Sequence, residues 1–376
     1  MIVLPKLSLY IHIPWCVQKC PYCDFNSHAL KPGVSYQDYI DHLLRDLEQD
    51  LPLTQGRSLH SIFIGGGTPS LLSAPLISQL LDGIRQRIAI DAQAEITLEA
   101  NPGTVDMRHF SAYYNAGITR ISLGIQSFND QKLISLGRIH NSAEAKHAVQ
   151  LTQSLPFQKI NLDLMHGLPN QTVEEALSDL RCAIALAPTH LSWYQLTLEP
   201  HTLFASRPPK LPNDEVLWQI YQQGDRLLTE AGYQQYETSA YAKPGYQCQH
   251  NLNYWRFGDY LGIGCGAHGK LSYHDGKIIR TSKTRHPQGY MQGHYVHQHH
   301  DVALADRPFE FFMNRFRLHE PTPKQAFVER TFQPLSLVDK PINSAKKAGY
   351  LLETDDAWQV TEHGKLFLNS LLELFL

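Results

Sequence analysis

The chain has 376 residues, of which 43% are hydrophobic and 18% charged; this suffices for a large buried core and predicts a main domain with an appendage. Its formal net charge of −3 lacks the basic footprint of a nucleic-acid-binding protein, so no nucleic-acid partner is expected. The apolar start is short and interrupted by Lys6, His12 and Pro14, and no later run reaches the length of a membrane span, so we expect a cytoplasmic protein without a signal peptide or membrane anchor.

Strand-like and helical patterns alternate along the first part of the chain. Apolar, β-rich runs predict strands at residues 7–13, 61–64, 95–99, 120–125, 159–165 and 190–198. Helical patterns between and after them predict helices at residues 36–50, 74–88, 107–116, 142–154, 173–186 and 214–231. The alternation predicts an α/β fold with a parallel sheet and crossover helices, in which functional groups gather at the carboxyl ends of the strands.

Three of the six cysteines, Cys16, Cys20 and Cys23, follow the first predicted strand within eight positions. A structural zinc ion would need a fourth ligand, which His12 or His28 can supply. An iron–sulfur cube normally takes four thiolates, so three protein ligands leave one iron with an exchangeable position. An odd number of cysteines without a signal peptide argues against disulfides. The spacing therefore indicates a metal centre and favours the cluster over zinc.

Further candidate residues follow the other strands. Gly65–Gly67 ends the second strand, where missing side chains let the backbone approach a ligand and offer amides to it. Glu99 ends the third strand, and Gln126 follows the fourth. Asp163 lies inside the apolar fifth strand, where a carboxylate needs a partner or a pore. Arg138 can neutralise a carboxylate. We predict that these side chains share one site.

The cysteine motif and the segment Gly65-Gly66-Gly67-Thr68-Pro69-Ser70 resemble the radical S-adenosylmethionine (SAM) superfamily, specifically its coproporphyrinogen-dehydrogenase-like branch, over essentially the whole chain. The resemblance implies a partial (β/α)6 barrel in which the three cysteines ligate a [4Fe-4S] cluster. SAM then chelates the fourth iron, and an electron from the cluster can cleave it to a 5′-deoxyadenosyl radical. The SAM-binding role carries over to Tyr10, Tyr22, Gly66, Gly67, Thr68, Glu99, Gln126, Arg138 and Asp163.

One departure within this resemblance changes the expected function. The dehydrogenases of the branch carry a fourth cysteine where this chain has Phe25. This difference points to their sister group, the HemW-type haem chaperones. Residues 250–255 read His-Asn-Leu-Asn-Tyr-Trp, similar to a pattern tied to haem binding in that group. The resemblance implies that His250 ligates haem iron, while Tyr254 and Trp255 pack against the macrocycle and shape its pocket.

Two functions therefore compete. The first is a haem chaperone that binds haem, a [4Fe-4S] cluster and SAM and delivers haem to respiratory haem proteins. The alternative is an oxygen-independent coproporphyrinogen III dehydrogenase, which oxidatively decarboxylates propionate side chains. The sequence leaves open whether SAM is cleaved or only bound, whether the chain forms a homodimer, and whether it associates peripherally with membranes.

The chain changes character after the predicted barrel. Residues 258–269 are too rich in glycine for a helix and are expected to close one end of the barrel, and residues 270–280 predict a hairpin turning at Asp275-Gly276. Helical patterns cover residues 308–318, 323–332, 342–348 and 361–376, with a hairpin at 350–360. The histidines between residues 294 and 300 predict a solvated loop. Cys248, two residues before His250, is either a second axial haem ligand or a buried thiol, and we favour the buried thiol, while Cys265 predicts a packed thiol.

These patterns suggest three regions. We expect a radical SAM core barrel at residues 1–235, a haem-motif and barrel-closing region at 236–320, and a small, mainly helical, winged-helix-like domain at 321–376. The last region lacks a concentrated basic face, so we expect it to cover the site or dock a partner rather than bind DNA.

Overall fold

A twelve-stranded mixed sheet frames the protein in the computed structural model, which describes residues 3–104 and 107–376. The strands in these ranges are β1 (Leu7–Ile13), β2 (Trp15–Cys16), β3 (His28–Ala29), β4 (Leu59–Gly66), β5 (Ile90–Ala100), β6 (Arg120–Gln126), β7 (Lys159–His166), β8 (His190–Gln195), β9 (Gln234–Glu237), β10 (Ala240–Ala242), β11 (Asp259–Ile263), β12 (His268–Ser272), β13 (Ile278–Lys283), β14 (Val296–Asp301), β15 (Thr322–Pro323), β16 (Leu351–Glu353) and β17 (Ala357–Val360).

Helices of very different length connect these strands. The α-helices in the same ranges are α1 (Tyr36–Asp50), α2 (Ala74–Arg85), α3 (Met107–Ala116), α4 (Asp130–Ser135), α5 (Ser142–Gln153), α6 (Val173–Ala185), α7 (Leu203–Ser206), α8 (Asp214–Glu230), α9 (Gln249–Trp255), α10 (Pro287–Tyr290), α11 (Arg307–Arg315), α12 (Lys324–Thr331), α13 (Asp339–Lys347), α14 (Glu362–Leu366) and α15 (Leu368–Glu373). Short 3-10 helices cover Leu51–Thr54, Pro69–Leu71, Pro102–Thr104 and Leu335–Val338.

Six neighbouring strands, β1 and β4 to β8, pair in parallel and in chain order. Helices follow these strands, and their starts are encoded locally: Asn141 and Thr172, for example, form capping boxes at α5 and α6. The predicted α/β fold and partial (β/α)6 barrel are confirmed. Because the strands run in parallel, their carboxyl ends meet at one edge, where ligand sites of this architecture lie.

The sheet extends beyond the six predicted strands. Strand β11 pairs in parallel with β1, and β12 to β14 continue the sheet in antiparallel fashion, while β10 and β9 extend the opposite edge from β8. The glycine-rich segment therefore contains a strand, and Gly262 lets it approach its neighbour, since a Cβ there would lie 2.0 Å from the carbonyl oxygen of His268. The hairpin at Asp275-Gly276 is confirmed by the pairing of β12 with β13.

The histidine-rich segment differs from its prediction. Instead of a loop, residues Val296–Asp301 form the edge strand β14, whose six residues are all exposed. Pairing with β13 decides this conformation, and composition alone does not reveal such a partner. Exposed polar side chains on an edge strand also discourage pairing with another chain.

The C-terminal part forms a small three-stranded sheet, β15-β17-β16, packed with helices. The predicted final helix is interrupted at Phe367, whose φ of −113° and ψ of 39° are not helical. A second hydrophobic core joins Phe257 and Phe312 to Phe327 and Trp358. This core includes residues on both sides of position 320, so the boundary predicted there stays a prediction. Within the described ranges no helix is long and apolar enough to cross a bilayer.

Candidate functional site

A cavity of about 510 Å³ opens at the carboxyl ends of the parallel strands. We call it the cysteine cavity, because Cys16, Cys20 and Cys23 line it. Eight of the nine residues to which SAM binding is carried over line it as well: Tyr22, Gly66, Gly67, Thr68, Glu99, Gln126, Arg138 and Asp163. The ninth, Tyr10, lies in a neighbouring cavity. The strand ends thus bring together residues that are up to 147 positions apart in the sequence, from Cys16 to Asp163.

The three cysteines lie on a loop held at both ends. Strand β2 pairs in parallel with β3, and the amide of Cys23 donates to the carbonyl of Cys20 at 3.1 Å. All three side chains are half-buried, and burial raises the pKa of the Cys16 and Cys23 thiols. Burial thus disfavours the deprotonated form of these side chains, and a cationic iron partner would stabilise their thiolates.

The ligand geometry bears on the choice between zinc and a cluster. In the described part of the chain, no three His, Cys, Asp or Glu side chains converge as the ligands of a single metal ion would. Both ring nitrogens of His12 are occupied, by Tyr10 Oη at 3.0 Å and the Asn26 carbonyl at 2.9 Å. A [4Fe-4S] cube does not need converging ligands, because each thiolate binds a different iron. The donor set therefore fits the cluster better than zinc.

The glycine segment does not offer its amides as predicted. The amide of Gly66 donates to Glu99 Oε2 at 3.1 Å, that of Gly67 to the Ile13 carbonyl at 2.7 Å, and that of Thr68 to the Trp15 carbonyl at 2.7 Å. The glycines are needed for packing instead, since a Cβ on Gly67 would lie 2.6 Å from the Trp15 carbonyl oxygen. The prediction of free amides is therefore wrong for Gly66 and Gly67.

A chain of polar side chains links Arg138 to the cysteines. One guanidinium nitrogen of Arg138 donates to Asn101 Oδ1 at 2.7 Å and the Gly124 carbonyl at 2.8 Å, and the other approaches Cys20 Sγ at 3.6 Å. Asn101 in turn donates to Thr68 Oγ1 at 3.0 Å. The Nε of Arg138 is buried without a hydrogen-bond partner. This unsatisfied donor fits an anionic ligand group such as a carboxylate.

Asn101 was missed by the sequence analysis, although it follows Glu99 by two positions at the end of β5. Tyr194 was missed as well: it lines the cysteine cavity and donates its hydroxyl to Gln126 Oε1 at 2.9 Å. Its place near the end of β8 was the available signal. Gln126 itself has a φ of 69°, a left-handed conformation unusual for this residue type, and this turns the chain at the end of β6.

Two carboxyl groups, those of Glu99 and Asp163, lie in the cysteine cavity. Asp163 accepts hydrogen bonds from Ser122 Oγ at 3.2 Å and Asn161 Nδ2 at 2.8 Å. Burial, together with the nearby charge of Asp163, raises the pKa of Glu99 to about 8, and burial raises the pKa of Asp163 as well. A ligand with cationic or hydroxyl groups would find two acceptors here and would favour ionisation of both.

A second cavity of about 470 Å³ adjoins the first at Gly66, Glu99 and Phe25, which line both. We call it the histidine cavity, because His250 lines it. The other residues around it are Tyr10, His12, Asn26, Tyr254, Tyr260, Gly266, His268 and Arg285. Its volume is within the range of small-molecule sites, and its wall is rich in aromatic rings.

His250 is held in a defined state on helix α9. Its Nδ1 is hydrogen-bonded to Ser61 Oγ at 3.1 Å, and that hydroxyl donates its own proton to Ser8 Oγ at 2.8 Å. Ser61 therefore accepts from Nδ1–H, which leaves the lone pair on Nε2. Burial lowers the pKa of His250 to about 4, with Arg120 adding to this effect against the opposite influence of Glu95. The result is a neutral imidazole of the kind that ligates metals.

Glu95 anchors the start of α9 from strand β5. Its Oε1 accepts from the amide of Gln249 at 2.8 Å and that of His250 at 3.4 Å, while its Oε2 accepts from Lys159 Nζ at 2.7 Å. Cys248 Sγ also donates to Glu95 at 3.4 Å and is fully buried, and burial raises its pKa to about 12. This geometry matches the packed-thiol interpretation of Cys248.

Helix α9 presents different residues to the two cavities. His250 and Tyr254, four positions apart on one helix face, line the histidine cavity, whereas Asn251 and Trp255 line the cysteine cavity. The Trp255 ring is covered by the Arg317 guanidinium at 4.4 Å. The expectation that Trp255 shapes the haem pocket together with His250 stays a prediction, since Trp255 lines the cysteine cavity, which adjoins the histidine cavity.

Comparisons with known proteins agree with this geometry. The profile of the Radical SAM superfamily matches residues 10–182, and that of the HemN C-terminal domain matches residues 302–367. The chain is 64% identical to "Heme chaperone HemW" of Escherichia coli (strain K12) over the whole of both chains. It is also 64% identical to the protein of the same name from Haemophilus influenzae, covering 99% of this chain and 98% of that one. The solved structure of coproporphyrinogen III oxidase (HemN) from Escherichia coli, a radical SAM enzyme, aligns with a TM-score of 0.85 at 23% identity, covering 99% of this chain and 90% of that one. This last likeness concerns the fold.

Proposed function

The chain belongs to the HemW family of haem chaperones within the radical SAM superfamily, and we propose that it binds haem and delivers it to haem-receiving proteins. The observation that carries this proposal is the state of His250. Its imidazole is neutral, its Nδ1 proton is held by Ser61, and its Nε2 makes no hydrogen bond within the described residues. An imidazole in this state is a usual axial ligand of haem iron.

The aromatic lining of the histidine cavity supports the same proposal. Tyr254 is half-buried beside His250, and its ring packs against Tyr260 at 5.2 Å between centroids. Flat rings of this kind contact a macrocycle over a large apolar area. We propose that His250 and Tyr254 contact haem directly, and that Trp255, which lines the adjoining cysteine cavity, packs against the macrocycle as well.

In the cysteine cavity we propose that Cys16, Cys20 and Cys23 hold a [4Fe-4S] cluster and that SAM binds beside it. When bound, the cluster supplies the electron for reductive chemistry on SAM. Arg138 neutralises the carboxylate of SAM through its unsatisfied Nε. The other proposed contacts with the amino acid, the ribose and the remaining parts of SAM come from Tyr10, Tyr22, Gly66, Gly67, Thr68, Glu99, Gln126 and Asp163.

The proposal also covers the recipients of haem, the cellular compartment and the division of the chain into regions. We propose respiratory haem proteins as recipients and the cytoplasm as the compartment, since a reducing compartment keeps the six unpaired cysteines available. The three regions 1–235, 236–320 and 321–376 remain a proposal, with the last as a cover or docking surface. A homodimer and peripheral membrane contact stay open to experiment.

The decisive experiment is a haem titration of anaerobically reconstituted protein, followed at the Soret band. We expect stoichiometric binding by the wild type, weakened at least about tenfold in His250→Ala, because loss of an axial ligand easily exceeds the roughly 1.4 kcal/mol that a tenfold change requires. Iron and sulfide contents, measured in the same samples, should be equal.

A matched control comes from the exposed edge strand β14. The variant carrying His297→Ala, His299→Ala and His300→Ala removes exposed imidazoles that can bind haem adventitiously. We expect it to retain wild-type affinity. Haem affinity unchanged by His250→Ala but lost in the β14 variant would contradict the proposed site. A wild type that binds no haem would return coproporphyrinogen dehydrogenation to first place.

A further inference from the structure

Two residues of the histidine cavity, Phe25 and Arg285, have no role in the function proposed so far. Phe25 is 60% exposed and lines both cavities. Arg285 is exposed at the histidine cavity and is the permanently charged cation among its described lining residues. Both lie in loops whose backbones are fixed by hydrogen bonds, while their side chains are uncommitted.

We propose that Phe25 and Arg285 complete the haem site: the Phe25 ring packs against the apolar macrocycle, and the Arg285 guanidinium pairs with a haem propionate. This inference rests on the proposed function and deepens it, since it says how the apolar body and the anionic edge of the ligand are each recognised. Nothing in it depends on the cluster or on SAM.

Phe25 presents an exposed aromatic ring at the histidine cavity. A phenylalanine that is 60% exposed leaves much apolar surface in water, which burial against a ligand would remove. Its backbone is held in place, since its carbonyl accepts from the amide of Ser27 at 2.6 Å and from Lys19 Nζ at 3.4 Å. The attachment point of the ring is thus held at the junction of the two cavities. A flat aromatic ligand in the histidine cavity would meet this ring together with the tyrosines that line the same cavity, Tyr10, Tyr254 and Tyr260.

Arg285 has a fixed backbone and a guanidinium that is free to pair with a ligand. Its carbonyl accepts from Asn26 Nδ2 at 2.9 Å, from Cys265 Sγ at 2.8 Å and from His28 Nε2 at 3.3 Å, so the backbone is tied to the cysteine loop. The guanidinium makes no hydrogen bond or ion pair within the described residues.

The other arginine near this cavity, Arg280, already has hydrogen-bond partners within the protein. Arg280 donates to Tyr260 Oη at 3.0 Å and to Glu310 Oε2 at 2.7 Å. Arg285 is therefore the cation left to meet an anionic group at the mouth of the histidine cavity. A planar guanidinium suits a carboxylate particularly well, because it can donate two parallel hydrogen bonds.

The two contacts predict different responses to a change in the ligand. Haem carries propionate carboxylates, whereas haem dimethyl ester has the same macrocycle with both carboxylates esterified. Arg285→Gln should raise the dissociation constant for haem about tenfold, the size expected for losing a charge-assisted hydrogen bond. It should leave the dissociation constant for the dimethyl ester unchanged. Phe25→Ala should raise the dissociation constant for both ligands by the same factor, about tenfold, because the macrocycle is common to both.

Matched controls and a second pair of variants keep the result interpretable. Arg207→Gln removes an exposed arginine and Phe367→Ala an exposed phenylalanine, neither of which lines the histidine cavity, and both should bind haem like the wild type. Arg285→Lys and Phe25→Leu, which retain the charge and an apolar side chain, should recover part of the loss. Iron content and thermal unfolding show whether each variant is folded and holds its cluster.

The outcomes separate this inference from the proposed function. If His250→Ala weakens haem binding but Phe25→Ala and Arg285→Gln bind like the wild type, the inference is wrong and the proposed function stands. An equal loss of haem and dimethyl ester binding in Arg285→Gln would also overturn the propionate contact. If the wild type binds no haem, both fail together.

Discussion

Glu95 is the residue whose replacement should reveal how the barrel holds helix α9. Its side chain is 4% exposed, and it accepts hydrogen bonds from the first amides of α9 on one oxygen and from Lys159 on the other. Removing one partner of a buried ion pair typically costs about 3–5 kcal/mol. Lys159 is 17% exposed and can partly rehydrate, but each amide left unsatisfied costs a further roughly 1–3 kcal/mol.

These contributions overlap, so we expect Glu95→Ala to lower the free energy of unfolding by about 3–5 kcal/mol. Glu95→Gln keeps an acceptor for the amide of Gln249 and should cost only about 1–2 kcal/mol, the difference between a charged and a neutral hydrogen bond. Glu230→Gln is the control: its pair with Arg226 at 2.7 Å is exposed on both sides, with 61% and 80% of the side chains accessible, and its loss should leave the stability close to that of the wild type.

The effect should also depend on pH in a defined direction. Burial alone would raise the pKa of Glu95, but Arg120 and Lys159 outweigh it and hold the pKa below its ordinary value of 4.5. A lowered pKa in the folded state means that the carboxylate stabilises the protein above pH 4.5 and that this stabilisation is lost as the pH falls through the folded pKa. The difference between the wild type and Glu95→Gln should therefore shrink in acid.

The assay is equilibrium unfolding in urea at pH 7 and at several values below 4.5, followed by tryptophan fluorescence and circular dichroism. Two probes are needed because the protein has more than one hydrophobic core. Haem affinity of the same variants reports whether α9 has moved, and Glu95→Ala should lose affinity although Glu95 lies outside the described lining of the histidine cavity. A Glu95→Ala variant as stable as Glu230→Gln, or a loss independent of pH, would refute this reasoning.

Two further predictions concern the cysteine cavity. Replacing Cys16, Cys20 or Cys23 singly by alanine should lower the iron and sulfide contents of the reconstituted protein from about four of each per chain toward zero. Cys182→Ala, outside the cavity, should retain the wild-type contents. A single-cysteine variant with full iron and sulfide contents would remove that cysteine from the proposed cluster ligands. Since the pKa of Glu99 is raised to about 8 in the folded protein, the contribution of Glu99 to the stability of the ligand-free protein should fall as the pH rises from about 4.5 to 8. Thermal unfolding between pH 5 and 8.5 should show the wild type losing stability relative to Glu99→Gln as the pH rises, and parallel curves would contradict the assignment.

The sequence predicted the helices, strands and strand ends better than it predicted the directions in which side chains and amides point. The bounds of β1 and α1 agree with the prediction, because apolar periodicity is a local signal. Glu99 and Asp163 could be brought together from sequence, since the ends of parallel strands must meet at one edge. These inferences needed no knowledge of which side chains contact each other.

The direction of a side chain or an amide depends on contacts with residues that are distant in the sequence. The direction of Trp255 follows from the phase of α9, which Glu95 and Ser61 set from strands more than 150 positions earlier. The amides of Gly67 and Thr68 are occupied by carbonyls that precede them by more than 50 positions. Such contacts leave no local pattern, so the sequence could not show that the amides of Gly66 and Gly67 are occupied.

The placement of one short helix between two cavities has a thermodynamic consequence. His250 and Trp255 belong to the same seven-residue helix, so a ligand that tilts this helix in one cavity changes the shape of the other. Any such coupling must be reciprocal: the factor by which a ligand in the cysteine cavity changes haem affinity equals the factor by which haem changes the affinity for that ligand. Loading and release of haem can thus depend on whether the cysteine cavity is occupied, even when the ligand in that cavity is not chemically converted.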